Sequence, residues 1–225
     1  MDDGKNYEAK LNRFFADFSI INNAFLKYKK EADRLLSSDF TIFDYLSTKE
    51  NALSDYFAMM LDVNGPHGQG GLFQNLFLEF LSEGENGIRV PPKTYHVYRE
   101  YYCGNGRIDI LLRNSKTAII IENKPYTGDS DNQLTYYLEN IGTCDTFLIY
   151  ISPSNEPSCA SIKKEKLDEL KKISRYKTVS LFSLGDIFLR NCAMHCESQK
   201  FRYFIDDFKG FLISTFKMQE EGKDA

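Results

Sequence analysis

The stretch GRIDILLRNSKTAIIIENK (residues 106–124) contains two runs of aliphatic and β-branched residues separated by the polar segment RNSK. Such runs predict two antiparallel strands joined by a tight hairpin. The second run continues beyond its apolar part into Glu122, Asn123 and Lys124, where a central strand should still be covered. Because burying a charge is costly unless it is paired, these residues indicate a site with its own chemistry.

The three polar residues divide between the two faces of the strand. Residues two apart share a face, so Glu122 and Lys124 project together while Asn123 points the other way. We therefore expect the Asn123 side chain to find a hydrogen bond beneath the sheet, with its backbone carbonyl directed towards any ion held above it.

Asp109 on the preceding strand is the natural neighbour of Glu122. A turn at residues 114–115 pairs Leu112 with Thr117, which places Asp109 diagonally close to Glu122. Two adjacent carboxylates repel each other, so a cation should lie between them. Lys124 neutralises one of them, whereas a divalent metal ion neutralises both.

The chemistry of these ligands selects the metal. Carboxylate oxygens are hard ligands that favour Mg²⁺, with Mn²⁺ as a substitute, over zinc. Such an ion lowers the pKa of a bound water and stabilises charge on a phosphate, while Lys124 orients the water or binds the same anion. This equipment suits hydrolysis of a phosphodiester.

The hydrophobic pattern around this hairpin predicts an α/β (α+β) fold. A long amphipathic helix over residues 6–37 precedes a helix with Thr48 as its N-cap and an apolar helix in LFQNLFLEFL. A three-stranded meander, a helix in SDNQLTYYLENI with a Ser or Asp N-cap and a buried strand in TFLIYIS follow. The order of the central part is thus helix, three strands, helix, strand. A polar helix, a strand in KTVSLFSL and a helix over residues 198–219 complete the chain.

Gly106-Arg107-Ile108-Asp109 followed by Glu122-Asn123-Lys124 closely resembles the motif of the PD-(D/E)xK nuclease superfamily, with Ile108 in place of the motif's proline. Gln133 and Tyr137 are similar to the Gln-x-x-x-Tyr of its RecB-like branch. Glu50 resembles the acidic residue that the superfamily carries on an early helix. HGQG (residues 67–70) before an apolar helix resembles an uncharacterised bacterial branch, and the likeness covers residues 50–152.

The resemblance implies a restriction-endonuclease-like core with a mixed central sheet and extra helices at both ends. It also implies roles for individual residues. The catalytic set would be Glu50, Asp109, Glu122 and Lys124; the metal would be held by Glu50, Asp109, Glu122 and Asn123; and Gln133 and Tyr137 would lie on the substrate side. The implied activity is Mg²⁺-dependent hydrolysis of nucleic acid, with DNA favoured over RNA, and phage defence is one role it leaves open.

Length and composition favour one domain over residues 1–225, with a core at about 48–182 on which the two terminal helices pack. The N-terminus lacks a secretory signal, no apolar run would span a bilayer, and five scattered cysteines favour reduced thiols, so we expect a cytoplasmic protein without a membrane partner. Cutting both strands of a duplex needs two active sites, which favours a homodimer or a separate specificity protein.

Several alternatives stay open. The net charge of −4 favours, as a second hypothesis, a catalytically silent nuclease-fold subunit that binds nucleic acid, and the charged cluster could be a purely structural salt bridge. Glu100 is either a fourth carboxylate or a solvated edge residue. The HGQG segment, with His67, Gln69 and Gly70, is either functional or a turn closed by backbone hydrogen bonds. Cys192, His195 and Cys196 are better explained as two small hydrophobic thiols on a helix than as a zinc site.

Overall fold

The structure is a computed structural model that describes residues 3–37, 39–84, 86–104, 106–126, 128, 130–142, 145–153, 157–158 and 160–217, the side chains of residues 3–6 excepted. The chain forms two compact units, residues 1–44 and residues 45–225. The predicted packing of the N-terminal helix on the core stays a prediction. No helix in the described ranges is long and apolar enough to cross a membrane.

The first unit consists of a long helix and a short 3₁₀ turn. Helix α1 spans Asp3–Leu36 and confirms the predicted amphipathic helix, and the turn spans Ile42–Asp44. An ion pair of 2.5 Å joins Lys29 Nζ to Asp39 Oδ2 after the helix ends. The large apolar side chains of α1 are exposed along most of its length.

The second unit contains the sheet and the helices around it. Its first elements are α2 (Glu50–Leu61), α3 (Leu72–Ser82), β1 (His96–Cys103), β2 (Gly106–Arg113), β3 (Thr117–Asn123), α4 (Gln133–Asn140) and β4 (Asp145–Ser152). They are followed by α5 (Lys164–Lys172), β5 (Tyr176–Ser180), α6 (Leu181–Ser183), a π-helical turn (Leu184–Leu189), α7 (Arg190–His195) and α8 (Gln199–Phe216). The predicted order of helix, three strands, helix and strand is confirmed.

The five strands lie in the order β1-β2-β3-β4-β5. The pairs β1–β2 and β2–β3 are antiparallel, whereas β3–β4 and β4–β5 are parallel. The parallel pairs require crossover connections, which α4 and α5 provide. Every residue of β3 is buried, as expected for a central strand covered on both faces. The predicted α/β (α+β) class with a mixed central sheet is confirmed.

The register of the β2–β3 hairpin differs from the predicted one. Leu112 pairs with Ile119 rather than with Thr117. The reason lies in the turn, where the Asn114 N–H donates to the Thr117 carbonyl at 3.0 Å. Asn114 Oδ1 also accepts from the N–H groups of Lys116 and Thr117, at 3.0 and 2.9 Å. The tight turn therefore lies one residue later, and Asp109 is level with Glu122 instead of diagonal to it.

Three predicted element ends are also corrected. Helix α2 begins at Glu50 with Lys49 at the N-cap, so Thr48 is not the cap. Helix α4 follows Asn132, whose backbone is left-handed, rather than a Ser or Asp cap. The last strand stops at Ser180, because that hydroxyl accepts from the Ser183 N–H at 3.0 Å and starts a helix. The predicted end of the last helix, at residues 218–219, lies outside the described residues.

The sheet carries helices on both faces. Helices α4 and α5 contribute Leu134, Tyr137, Leu167 and Leu170 to a core cluster with apolar residues of the strands. Helix α2 packs against β1 and β2. Adjacent residues of β3 contact different helices, Glu122 reaching α4 and Asn123 reaching α2. The end of β3 is thus enclosed between these two helices.

Candidate active site

Lys124 lies between two carboxylates that come from different elements. Its ammonium Nζ is 3.1 Å from Glu50 Oε1 and 2.8 Å from Glu122 Oε1. Lys124 follows β3 directly, and its own N–H donates to the Ile151 carbonyl of β4 at 2.7 Å. This backbone bond fixes the start of the side chain, while Glu50 stands in the first turn of α2, where the helix dipole favours an acidic residue.

Glu122 is fully buried and its two oxygens have different surroundings. Oε1 accepts from Lys124 Nζ and from Gln133 Nε2, the latter at 2.6 Å. Oε2 is buried and has no hydrogen-bond partner among the described residues. Leaving a carboxylate oxygen buried without a partner is costly, so one oxygen is oriented by the protein and the other is open to a cation.

Asp109 faces this carboxylate across the hairpin. Its side chain is buried, and Oδ2 accepts from the Asn123 N–H at 2.9 Å. The hydrogen bond joins the end of β3 to β2 through a side chain and so fixes the orientation of Asp109 relative to Glu122. The sequence prediction that these two carboxylates are neighbours therefore holds, although they are opposite rather than diagonal.

The Asn123 side chain lies on the opposite face of the sheet from Glu122, as its position in the strand predicts. Its Nδ2 donates to Ser54 Oγ of α2 at 3.0 Å. Its Oδ1 is buried, and within the described parts of the chain no donor reaches it. The side chain ties β3 to the helix that carries Glu50. The proposed contact of its backbone carbonyl with a metal stays a prediction.

Gln133 and Tyr137 form a hydrogen-bonded relay from α4 to the carboxylate. Gln133 Nε2 donates one hydrogen to Glu122 Oε1 and the other to the Tyr137 hydroxyl, the latter at 2.9 Å. The Tyr137 hydroxyl in turn donates to the Arg107 carbonyl at 2.5 Å. A Cβ on Gly106 would lie 2.9 Å from the Tyr137 ring, so glycine there lets the ring pack against β2.

The buried charges alter one another's ionisation. Burial, together with the neighbouring Asp109, raises the pKa of Glu122 to about 8. Burial likewise raises the pKa of Asp109, although the Asn123 N–H and the Lys124 charge oppose the rise. Burial alone would lower the pKa of Lys124, but the charges of Glu122, Asp109 and Glu50 outweigh it and raise that pKa. Burial thus favours the protonated form of Glu122, whereas Lys124 keeps its proton and its positive charge.

Arg99 on β1 is a residue of this site that the sequence patterns do not indicate. Its guanidinium donates to the Asp109 carbonyl, to the Asn51 carbonyl at 3.2 Å and to Asp55 Oδ1 at 2.7 Å. It thus links the strand that carries Asp109 to the first turns of α2, which carry Glu50. Nothing in the sequence distinguishes it from an ordinary surface arginine, because its partners include main-chain carbonyls.

A cleft of about 550 Å³ opens beside the relay. Among the residues that line it are Asn51, Glu100, Arg107, Gln133 and Tyr136. The Arg107 guanidinium is 67% exposed and lies 3.1 Å from Glu100 Oε2. Glu100 has a left-handed backbone, with φ 47°, between the Arg99–Ile110 and Tyr101–Ile108 pairs of β1 and β2. Glu100 therefore belongs to the wall of the cleft, where it pairs with arginine.

The donor set fits a hard divalent cation. Glu122 Oε2 is a buried carboxyl oxygen with no described hydrogen-bond donor, and Asp109 lies beside Glu122, one residue beyond the Ile110–Ile121 pair. Oxygen ligands of this kind suit Mg²⁺ or Mn²⁺. The described part of the chain assembles no group of three His, Cys, Asp or Glu side chains that would hold a metal. Lys124 Nζ lies between the carboxylates of Glu50 and Glu122.

The other residues considered from sequence take structural positions. His67 Nε2 lies 2.9 Å from the Asp62 carbonyl, and Nδ1 accepts from the Gln69 N–H at 3.0 Å, which closes the loop between α2 and α3. Gly70 has a positive φ of 56° in the same loop. Cys192 and Cys196 are buried free thiols, whereas His195 Nδ1 lies 2.9 Å from the Asn191 carbonyl on the exposed side.

Comparison with known proteins agrees with this geometry. A family profile described as the PD-(D/E)XK nuclease superfamily matches residues 40–200. That range includes Glu50, Asp109, Glu122, Lys124 and the α4 relay. No curated protein and no solved structure matches the chain. The resemblances to the RecB-like branch and to the HGQG-bearing branch stay predictions.

Proposed function

Because the chain belongs to the PD-(D/E)XK nuclease superfamily, we propose that it is a Mg²⁺-dependent enzyme that hydrolyses phosphodiester bonds in DNA. The observation that carries this proposal is the asymmetric environment of Glu122. One oxygen is held by Lys124 and Gln133, while the other is buried without a described donor beside Asp109. A purely structural salt bridge would not be stabilised by burying that second oxygen without a partner.

The metal would be held by Asp109 and Glu122, with Glu50 and the Asn123 carbonyl as further ligands. When bound, Mg²⁺ would lower the pKa of a water and neutralise charge on the phosphate. The protein holds these ligands in a fixed geometry. Arg99 binds the Asp109 carbonyl, and the backbone N–H of Asn123 binds the Asp109 carboxylate. Gln133 binds the Glu122 carboxylate.

Lys124 acts in this proposal as a cation and a hydrogen-bond donor rather than as a base. The surrounding carboxylates raise its pKa, so the amine stays protonated at neutral pH. It would orient the attacking water or bind a phosphate oxygen as negative charge develops there. Gln133 and Tyr137 keep the Glu122 carboxylate from rotating while this occurs.

The adjoining cleft offers a place for the nucleic acid. Arg107 provides a positive charge for a phosphate, and Tyr136 provides an aromatic ring for a base. The volume of about 550 Å³ accommodates a nucleotide-sized group next to Gln133. DNA is the substrate proposed, and RNA is the direct competitor in the assay below.

The test is a cleavage assay on single-stranded DNA, double-stranded DNA and RNA, with Mg²⁺, Mn²⁺ or EDTA. Wild-type protein should cut DNA only when metal is present, and Glu122→Gln should lose at least about a hundredfold in rate. Glu139→Gln, on the exposed side of the same helix as Gln133, serves as the matched control and should retain activity. Equal activity of wild type and Glu122→Gln on every substrate would refute the catalytic claim.

A catalytically silent nucleic-acid-binding subunit is the second candidate. The observation that favours it is the Lys124 ammonium, which already neutralises charge between Glu50 and Glu122. Calorimetric titration with Mn²⁺ separates the two candidates. Binding that is lost in Asp109→Asn supports the enzyme, whereas DNA binding without any Mn²⁺ signal supports the silent subunit.

A further inference from the structure

Helix α1 carries an apolar seam with the spacing of a coiled coil. Apolar residues recur at alternating intervals of four and three residues, which are the a and d positions of a heptad repeat. The seam consists of Tyr7, Leu11, Phe14, Phe18, Ile21, Phe25, Tyr28, Ala32 and Leu35. A repeat sustained over about four heptads indicates a helix that pairs with another helix along its length.

The seam is exposed. Its large side chains are between 42% and 89% exposed, Leu11 being the least and Leu35 the most. Phe15, at an adjoining e position, widens the seam, whereas Ile20 and Leu26 lie away from it. The five aromatic side chains of the seam would bury on the order of 1,000 Å² in a pairing of two such helices. That area reaches the lower bound for a specific interface, so a single helix partner would suffice.

The charges beside the seam are self-complementary when two copies of α1 run antiparallel. In an antiparallel pair, a positions meet d positions, and the flanking g positions face each other, as do the e positions. Centring the pair between Phe18 and Ile21 sets Lys10 opposite Glu31 of the second copy, both at g positions. The same register sets Glu8 opposite Lys29 of the second copy, both at e positions, and Lys29 already contacts Asp39 within its own chain.

Other arrangements lose this complementarity. Moving the antiparallel register by one heptad in one direction sets Asp17 opposite Glu31 of the second copy. Moving it by one heptad in the other direction sets Asp17 opposite Asp17 of the second copy, so both shifts oppose like charges. In a parallel pair, Lys10 would face Phe15 and Glu31 would face Leu36. The charge pattern thus selects one orientation and one register.

We infer that α1 is a dimerisation helix, which pairs with α1 of a second copy as an antiparallel two-helix coiled coil in the register that joins Lys10 to Glu31. The seam supplies the apolar contact area, and the e and g charges determine the orientation. This inference rests on α1 alone and holds whether or not the chain cuts nucleic acid.

The first experiment measures the dimer dissociation constant of the full-length chain by sedimentation equilibrium. Wild type should be a dimer at micromolar concentration. Phe18→Asp, in the middle of the seam, should raise the dissociation constant at least about tenfold. Asn23→Asp, on the opposite side of the helix, is the matched control and should change it less than about threefold. A wild type that stays monomeric up to about 100 µM, or a control that weakens the dimer equally, would overturn the inference.

The second experiment tests orientation by exchanging charges. Lys10→Glu and Glu31→Lys should each weaken the dimer, because each sets like charges against each other. The double variant Lys10→Glu/Glu31→Lys should restore the wild-type dissociation constant, and circular dichroism should show unchanged helix content in all three. Failure of the double variant to restore it would contradict the antiparallel pairing. Association with a different protein through the same seam, without self-association, would also refute a second copy as the partner.

Discussion

Gln133 Nε2 lies 2.6 Å from Glu122 Oε1, so an amide at the start of α4 fixes a carboxylate at the end of β3. The same amide holds the Tyr137 hydroxyl at 2.9 Å. Both contacts fix the Glu122 rotamer with Oε2 turned away from any described donor. Gln133 and Tyr137 therefore orient Glu122, the proposed metal ligand, in addition to any contact they make with substrate.

Gln133→Leu should therefore weaken metal binding as well as catalysis. Without the amide, Glu122 loses one of its two orienting contacts, and loss of such a supporting hydrogen bond costs about 10- to 100-fold in affinity or activity. Mn²⁺ titration and the DNA cleavage rate measure the two effects. Asn140→Ala, at the exposed end of the same helix, should affect neither. Unchanged Mn²⁺ affinity in Gln133→Leu would show that the relay does not orient the ligand.

Lys124→Met should separate metal binding from cleavage. Removing the ammonium leaves more negative charge for a divalent ion, so Mn²⁺ affinity should stay the same or increase. The cleavage rate should fall by at least about a hundredfold, because the positive charge at the reacting phosphate is lost. Lys116→Met, in the exposed β2–β3 turn, is the control. Parallel loss of affinity and rate would instead make Lys124 a structural partner of the carboxylates.

Arg99→Gln should destabilise the chain more than removal of its ion-pair partner does. Arg99 binds the carbonyls of Asp109 and Asn51 in addition to the largely exposed carboxylate of Asp55. We expect the free energy of unfolding to fall by about 2 kcal/mol in Arg99→Gln and by less than about 1 kcal/mol in Asp55→Asn. Urea denaturation measures both. Equal losses would mean that the ion pair accounts for the whole contribution of Arg99.

The pH dependence of metal-free stability should reveal the buried Glu122. Its folded pKa of about 8 lies above the ordinary value of 4.5, so between these values the folded chain retains a proton that the unfolded chain has released. Since the folded state then binds more protons, the free energy of unfolding falls as the pH rises from about 4.5 to about 8. In EDTA, Glu122→Gln should remove the part of this decline that Glu122 contributes, and the raised pKa of Asp109 accounts for any remainder. A wild-type chain with the same pH profile as Glu122→Gln would show that Glu122 does not titrate in this range.

The strand with its charged end was predictable, because Ala118, Ile119, Ile120 and Ile121 are an unbroken apolar run that Glu122 extends. Its register was not, because the position of the turn depends on hydrogen bonds to the Asn114 side chain that the sequence does not show. The error was two residues, so it preserved the face of each side chain and altered only which residues are level.

The supporting contacts were less predictable than the charged residues. Arg99 donates to main-chain carbonyls, and Ser54, on α2, accepts a hydrogen bond from the Asn123 side chain on β3. Neither contact belongs to a local sequence pattern. Gln133 and Tyr137 were found only through a motif resemblance. Their contact with Glu122 depends on the crossover that brings α4 over the end of β3. Local spacing identifies the charged residues, whereas their orientation is a property of tertiary packing.

The most direct measurement is an anomalous difference map from a crystal soaked in Mn²⁺. The proposed nuclease centre predicts a peak at bonding distance, about 2.0–2.3 Å, from Glu122 Oε2 and from an Asp109 oxygen. The Lys124 ammonium should move aside from Glu122 or keep only its contact with Oε1. A fully soaked crystal that shows no peak between Asp109 and Glu122, with Lys124 still bridging Glu50 and Glu122, would contradict the metal-dependent site.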